Sequence, residues 1–105
     1  MRHEIILAPE AVEDLKALKA FDRAAVKDAM EKHLRYEPTK MSKSRIKRLR
    51  GMSRPQYRLL VGEHRVFYDG TEEMVEVLAV VPKSKAAEWL DRYGEAAVAS
   101  KESGS

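Results

Sequence analysis

Residues 57–68 alternate between two kinds of side chain about a central Gly62-Glu63 pair, and this alternation limits the fold more than any other stretch of the chain. Tyr57-Arg58-Leu59-Leu60-Val61 and His64-Arg65-Val66-Phe67-Tyr68 both have period two, and a two-residue loop containing glycine is a favoured hairpin connection. That loop pairs Val61 with His64, Leu60 with Arg65, and Arg58 with Phe67. Side chains of a strand alternate between the two faces of the sheet. Arg58, Leu60, Arg65 and Phe67 therefore share one face, and Tyr57, Leu59, Val61, His64, Val66 and Tyr68 share the other. The second face is the more continuously apolar and is expected to meet the helices. The first brings two guanidinium groups together on the exposed side.

The flanking segments supply the helices and the remaining strands. His3 to Ala8 is a short aliphatic stretch stopped by Pro9, whose fixed φ suits the first position of a helix. Glu10, Glu13 and Asp14 crowd the first turn, where the helix dipole favours negative charge, and Ala11, Val12, Leu15 and Leu18 follow at helical spacing. Asp22 is the expected N-cap of a second helix carrying Val26, Ala29, Met30 and Leu34, with His33 on its flank. Pro38 closes this αα-hairpin, and Thr39 to Arg45 lacks apolar periodicity, so it is expected to be a mobile basic loop. After the β-hairpin, Asp69-Gly70 is expected to open a turn with Thr71 and Glu72, and Met74 to Val81 is the most apolar run and the expected central strand. Pro82 ends it. Ala86, Ala87, Trp89, Leu90 and Tyr93 then sit at helical spacing before Gly94, with Trp89 expected to cap the open edge of the core. The order β-α-α-β-β-β-α predicts an α+β fold, a small antiparallel sheet with the N-terminal αα-hairpin packed on one face. One domain is expected over residues 1–94, with 95–105 a frayed tail.

The charge is as unevenly placed as the apolar residues. The net charge is +3, but residues 38–68 hold nine basic side chains and one acid, Glu63, while the segments on either side are near neutral or acidic. A basic stretch of this kind suits a polyanion or an acidic protein partner. The chain has no cysteine, so thiolate nucleophiles and cysteine-ligated metal sites are excluded, and His3, His33 and His64 are too dispersed to form a metal motif. There is no Walker loop, no Gly-x-Ser-x-Gly elbow and no His-Glu-x-x-His helix. No apolar run approaches a membrane span, and Ile5 to Ala8 is too short for a signal-peptide core, so a cytoplasmic protein is expected.

Arginine stays charged and grips phosphate oxygens bidentately, which makes Arg58 and Arg65 on one sheet face a candidate phosphate site. Chemistry there would run on cations rather than on a metal. RNA cleavage permits this, because the 2′-hydroxyl attacks its own neighbouring phosphate and the protein supplies position, charge stabilisation and proton transfer. A lysine in a cationic cluster can serve as acid or base.

Leu49-Arg50-Gly51, then Tyr57-Arg58-Leu59, then Gly62-Glu63-His64-Arg65-Val66-Phe67-Tyr68 and the valine-rich strand together resemble the RelE/ParE toxin superfamily of toxin–antitoxin modules. The resemblance spans residues 3–93 and implies a RelE-like fold in the element order read above. It implies a toxin neutralised by a cognate antitoxin that wraps it. RelE-type members cleave mRNA in the ribosomal A site without a metal or other cofactor, whereas ParE-type members poison DNA gyrase. An mRNA endoribonuclease is the expected activity, and gyrase inhibition the alternative. Carried over by position, the implied catalytic residues are Arg58, Arg65 and Lys83 or Lys85, with Lys43, Arg45, Lys47, Arg48, Arg50 and Arg54 gripping RNA. The chain departs from the RelE pattern at Leu60 and Ser84, where basic residues are expected, and at Trp89-Leu90, where a tyrosine is expected, with Tyr93 one turn later.

Overall fold

In the computed structural model, which describes residues 2–42 and 45–96, the chain begins as a strand, β1 (Glu4–Leu7), and passes through Ala8 into a helix, α1 (Pro9–Ala17). Pro9 opens that helix as its φ predicts, and no side chain caps the turn. The second helix, α2 (Ala20–Ala29), starts three residues earlier than the sequence suggests. Lys19 occupies the cap position, and Asp22 sits in the first turn, where it still faces the positive end of the dipole. The reason is the tightness of the αα junction. Arg23 donates from Nε to the Leu15 carbonyl at 3.0 Å, which also accepts from the Leu18 amide, and from Nη2 to the Leu18 carbonyl at 2.8 Å, tying α2 to the end of α1. The helix continues through a wider turn over Met30–Leu34. Arg35 then donates to the His3 carbonyl at 3.1 Å, tying the end of the hairpin to the start of β1.

Four further strands complete the main sheet: β2 (Ile46–Arg48), β4 (Tyr57–Val61), β5 (His64–Gly70) and β6 (Met74–Pro82). Their order is β1-β6-β5-β4-β2, with β1 parallel to β6 and every other pair antiparallel. The hairpin register is the one the alternation predicts, with Val61 opposite His64, Leu60 opposite Arg65 and Arg58 opposite Phe67. Gly62 turns the corner at φ +58°, a conformation that favours glycine. The expected turn at Asp69-Gly70 falls later, because β5 stays paired with β6 as far as Gly70. The Thr71 hydroxyl instead organises the reversal by accepting from the Glu73 and Met74 amides.

The αα-hairpin covers one sheet face as expected. Ala11, Leu15, Val26, Met30 and Leu34 pack against Leu59, Val66, Tyr68, Val75, Val77 and Val80. Tyr68 is fully buried, and its hydroxyl donates to the Pro38 carbonyl, which fixes where the chain leaves the hairpin. The other face is not simply exposed. Helix α3 (Ala86–Tyr93) lies over part of it, placing Ala86, Trp89 and Leu90 on Phe67, Ala79 and Val81. Trp89 stacks on Phe67 with ring centroids 5.0 Å apart, so it fills a second apolar cluster instead of rimming the first. The β1–β6 pairing ends at Val77, and beyond it the Val80 amide donates to Asp14 Oδ2 of α1 at 2.9 Å.

A second, two-stranded sheet joins β3 (Met52–Arg54) to β7 (Glu95–Ala96). Glu95 and Ala96, expected to begin a frayed tail, are therefore paired; residues 97–105 lie outside the described ones. Gly94 is needed at this crossing. A Cβ there would lie 2.6 Å from the Leu90 carbonyl oxygen and 2.4 Å from Met52 Cε. Among the described residues, no helix is long and apolar enough to cross a membrane.

Candidate anion site

Cross-strand pairing builds two rows of side chains on the α3 side of the sheet. One row runs Lys47, Arg58, Phe67, Ala79 across β2, β4, β5 and β6; the next runs Leu60, Arg65, Val81. Arg58 and Arg65 are diagonal neighbours within these rows, close enough for their side chains to interact. Both are half-buried, and neither has a carboxylate within ion-pairing distance among the described residues. The Nε of Arg58 is buried and has no hydrogen-bond partner there. Burial, and then the charge of Arg65, pull the Arg58 guanidinium below its ordinary pKa. Arginine nonetheless keeps its proton. The arrangement is a pair of repelling cations with an unsatisfied buried donor, and an anion relieves both penalties at once. A phosphate oxygen suits the fork geometry of two guanidinium groups better than any neutral ligand does.

The other basic residues singled out from the sequence divide sharply. Lys47 is exposed and directly opposite Arg58. Arg45 and Arg50 are exposed beside the β2 strand and its following turn, and Lys43 lies outside the described residues. Arg48 points the other way. Its guanidinium lies 5.4 Å from the Tyr57 ring centroid and donates to the Leu49 and Gln56 carbonyls at 3.0 Å. Arg54 is held by two carboxylates, with Nη1 at 3.1 Å from both Asp69 Oδ2 and Glu76 Oε1. Lys83 follows β6, and its amide donates to the Glu63 carbonyl at 2.7 Å, which sets it at the turn end of the hairpin, two residues past the partner of Arg65. Lys85 lines a cleft with Asp14, Glu88, Trp89, Arg92 and Tyr93 at the free edge of β6, a cleft that contains neither Arg58 nor Arg65.

The alternation locates the arginine pair but not Lys47 beside it, because β2 is only three residues long and two of them are charged. The faint signal was Ile46, an isolated apolar residue in a basic stretch, which is buried opposite Leu59 and fixes the register. His33, expected on a helix flank, is half-buried at the end of the second helix, where burial and then Arg45 lower its pKa. Among the described residues, no group of three or more histidine, aspartate or glutamate side chains is placed to hold a metal ion.

With this geometry in view, the chain can be set beside known proteins. No curated protein sequence matches it significantly. A chain of the RelBE2 toxin–antitoxin complex of Mycobacterium tuberculosis is similar at TM-score 0.64 and 23% identity, over 78% of this chain and 99% of that one. A chain of the archaeal RelE–RelB complex of Pyrococcus horikoshii matches at TM-score 0.64 and 22% identity, over 81% and 99%. Free Escherichia coli RelE carrying two arginine-to-alanine substitutions matches at TM-score 0.64 and 18% identity, over 89% and 99%. These likenesses establish a RelE-like fold. The family model described as the ParE toxin of the parDE type II toxin–antitoxin system matches residues 5–87, and this chain belongs to that toxin family.

Proposed function

We propose that this toxin stops translation by cutting mRNA on the ribosome, with Arg58 and Arg65 clamping the scissile phosphate. The observation that carries the reading is the buried Nε of Arg58, which has no partner among the described residues, beside a second arginine with no carboxylate among them. In the cleavage, the 2′-hydroxyl gives up its proton to solvent, its oxygen forms a bond to the adjacent phosphorus and the bond to the 5′-oxygen breaks, leaving a cyclic phosphate and a 5′-hydroxyl. Two negative charges build up on the phosphoryl oxygens as this happens, and fixed guanidinium donors stabilise them without reorganisation. Lys83, at the Arg65 end of the hairpin, supplies the proton to the leaving oxygen. Lys85 keeps company with Asp14 and Glu88 and is the weaker candidate. The exposed Arg45, Lys47 and Arg50 add attraction for the surrounding RNA, and a cognate antitoxin covers the toxin until it is needed.

Primer extension on ribosome-bound mRNA tests the reading. Cuts at A-site codons are expected from the wild type and not from Arg65→Ala; an uncut message with the wild-type toxin sinks it. A second reading, gyrase poisoning without catalysis, is favoured by the ParE family match and by Leu60, which puts an apolar side chain where the RelE pattern has a cation. Induction without antitoxin separates the two: translation arrest supports cleavage, and filamentation with DNA damage supports gyrase.

A further inference from the structure

We infer that Lys47 completes, with Arg58 and Arg65, a three-cation track that carries adjoining phosphates of a single RNA strand across β2, β4 and β5; the inference rests on the RNA reading above. Lys47 stands directly opposite Arg58 on the α3 side of the sheet, at the open β2 edge. It has no carboxylate within ion-pairing distance among the described residues, like Arg58 and Arg65 and unlike Arg54. The three cations thus fall one to a strand, on three strands spaced roughly 4.8 Å apart. A strand of RNA running across the sheet meets them in the order Arg65, Arg58, Lys47. A polyanion running along the strands would meet only one or two. The scissile phosphate lies at the half-buried arginine pair, and Lys47 holds the next one toward the β2 edge. Lysine suits that outer place, since an exposed point charge attracts a phosphate without demanding a fixed orientation. Neighbouring Arg48 cannot substitute, because its guanidinium is turned to Tyr57 and bonded to carbonyls.

The test is the salt dependence of binding to a 2′-O-methyl RNA dodecamer, which lacks the attacking hydroxyl, read by fluorescence anisotropy between about 50 and 200 mM salt. Each single-stranded phosphate neutralised contributes about 0.7 to the slope of log K against log salt. Lys47→Gln is expected to lower that slope by about 0.7 and to weaken binding about fivefold near 0.1 M salt. Lys16→Gln, on α1 and 3.7 Å from Glu13, is expected to leave both unchanged. An unaltered slope in Lys47→Gln, or an equal loss in Lys16→Gln, overturns the track while leaving Arg65-dependent cleavage standing. Failure of the wild type to bind the dodecamer at all, together with an uncut message on the ribosome, overturns the RNA reading as well.

Discussion

Arg54 and Arg58 lie four residues apart in the same basic stretch, yet they occupy opposite electrostatic situations. Arg54 faces Asp69 and Glu76, which lie on β5 and β6 at the far end of the sheet from the β4–β5 turn. Asp69 also accepts from the Gln56 amide at 2.7 Å, so this end is a closed network of donors and acceptors. Arg58 and Arg65, toward the turn, have no counter-charge among the described residues, and a buried donor goes unmet. The difference teaches that positive charge in the sequence does not identify a binding cation. What matters is where particular acids of the C-terminal third land, and two of them, Asp69 and Glu76, land on Arg54. One end of the face is closed by its own ion pairs, and the other carries two arginines with no carboxylate partner among the described residues.

Breaking the two ends separately should therefore give different phenotypes. The largest effect expected is from Arg65→Ala, which should lower mRNA cleavage on the ribosome by about a hundred- to a thousandfold, the range for losing one fixed donor to a developing oxyanion. Its urea midpoint should be unchanged or slightly raised, because a repulsion is removed. Gly94→Ala should act on the opposite end. Met52 can swing aside, but the Leu90 carbonyl cannot, so the pairing of β7 with β3 should open at a cost of about 1–3 kcal/mol in urea unfolding. Arg54→Ala leaves Asp69 and Glu76 facing each other. Its side chain is 42% exposed, so the loss should stay near 1–2 kcal/mol, with cleavage per folded molecule retained. A large loss of cleavage in folded Arg54→Ala would erase the distinction between the two ends.

The smallest expected effect is a pH dependence at Asp69. Burial raises its pKa above the ordinary carboxyl value, outweighing the Gln56 amide and Arg54, which lower it. The folded state therefore binds this proton more tightly than the unfolded state does, and stability gained from it appears as pH falls and is lost as pH rises through the raised value. Urea midpoints between about pH 6 and pH 4 should move in favour of the wild type over Asp69→Asn by a few tenths of a kcal/mol. Movement the other way would mean that Arg54 dominates the carboxyl and that the network is tighter than its burial implies.

How much of this was legible in the sequence depended on the range of the interaction. The hairpin register and the shared face of Arg58 and Arg65 follow from local alternation and a two-residue loop, and both are seen. The pairing of the apolar hairpin face with the αα-hairpin is equally local in origin. By contrast, β2 and β3 are three residues each, too short for a period to register, and they form because β4 and β7 offer partners. The fate of Arg54 turns on carboxylates 15 and 22 residues away, and that of Asp14 on an amide 66 residues away. Asp69-Gly70 has turn composition but is captured by pairing with β6 and by the Gln56 amide. From local spacing Trp89 reads as an edge cap, since its stacking partner, Phe67, lies on the sheet face that the alternation leaves open.

The anion site itself can be tested without a ribosome, by comparing urea unfolding in phosphate and in chloride at matched ionic strength for the wild type and for Arg58→Gln/Arg65→Gln. Phosphate strengthens burial in any protein by exclusion from its surface, so the difference between the two proteins is the quantity that matters. A ligand that binds only the folded state adds stability by mass action. The wild type should gain more stability from phosphate than the double variant, by an increment that rises with phosphate concentration. Equal gains in the two proteins would contradict an anion site at Arg58 and Arg65.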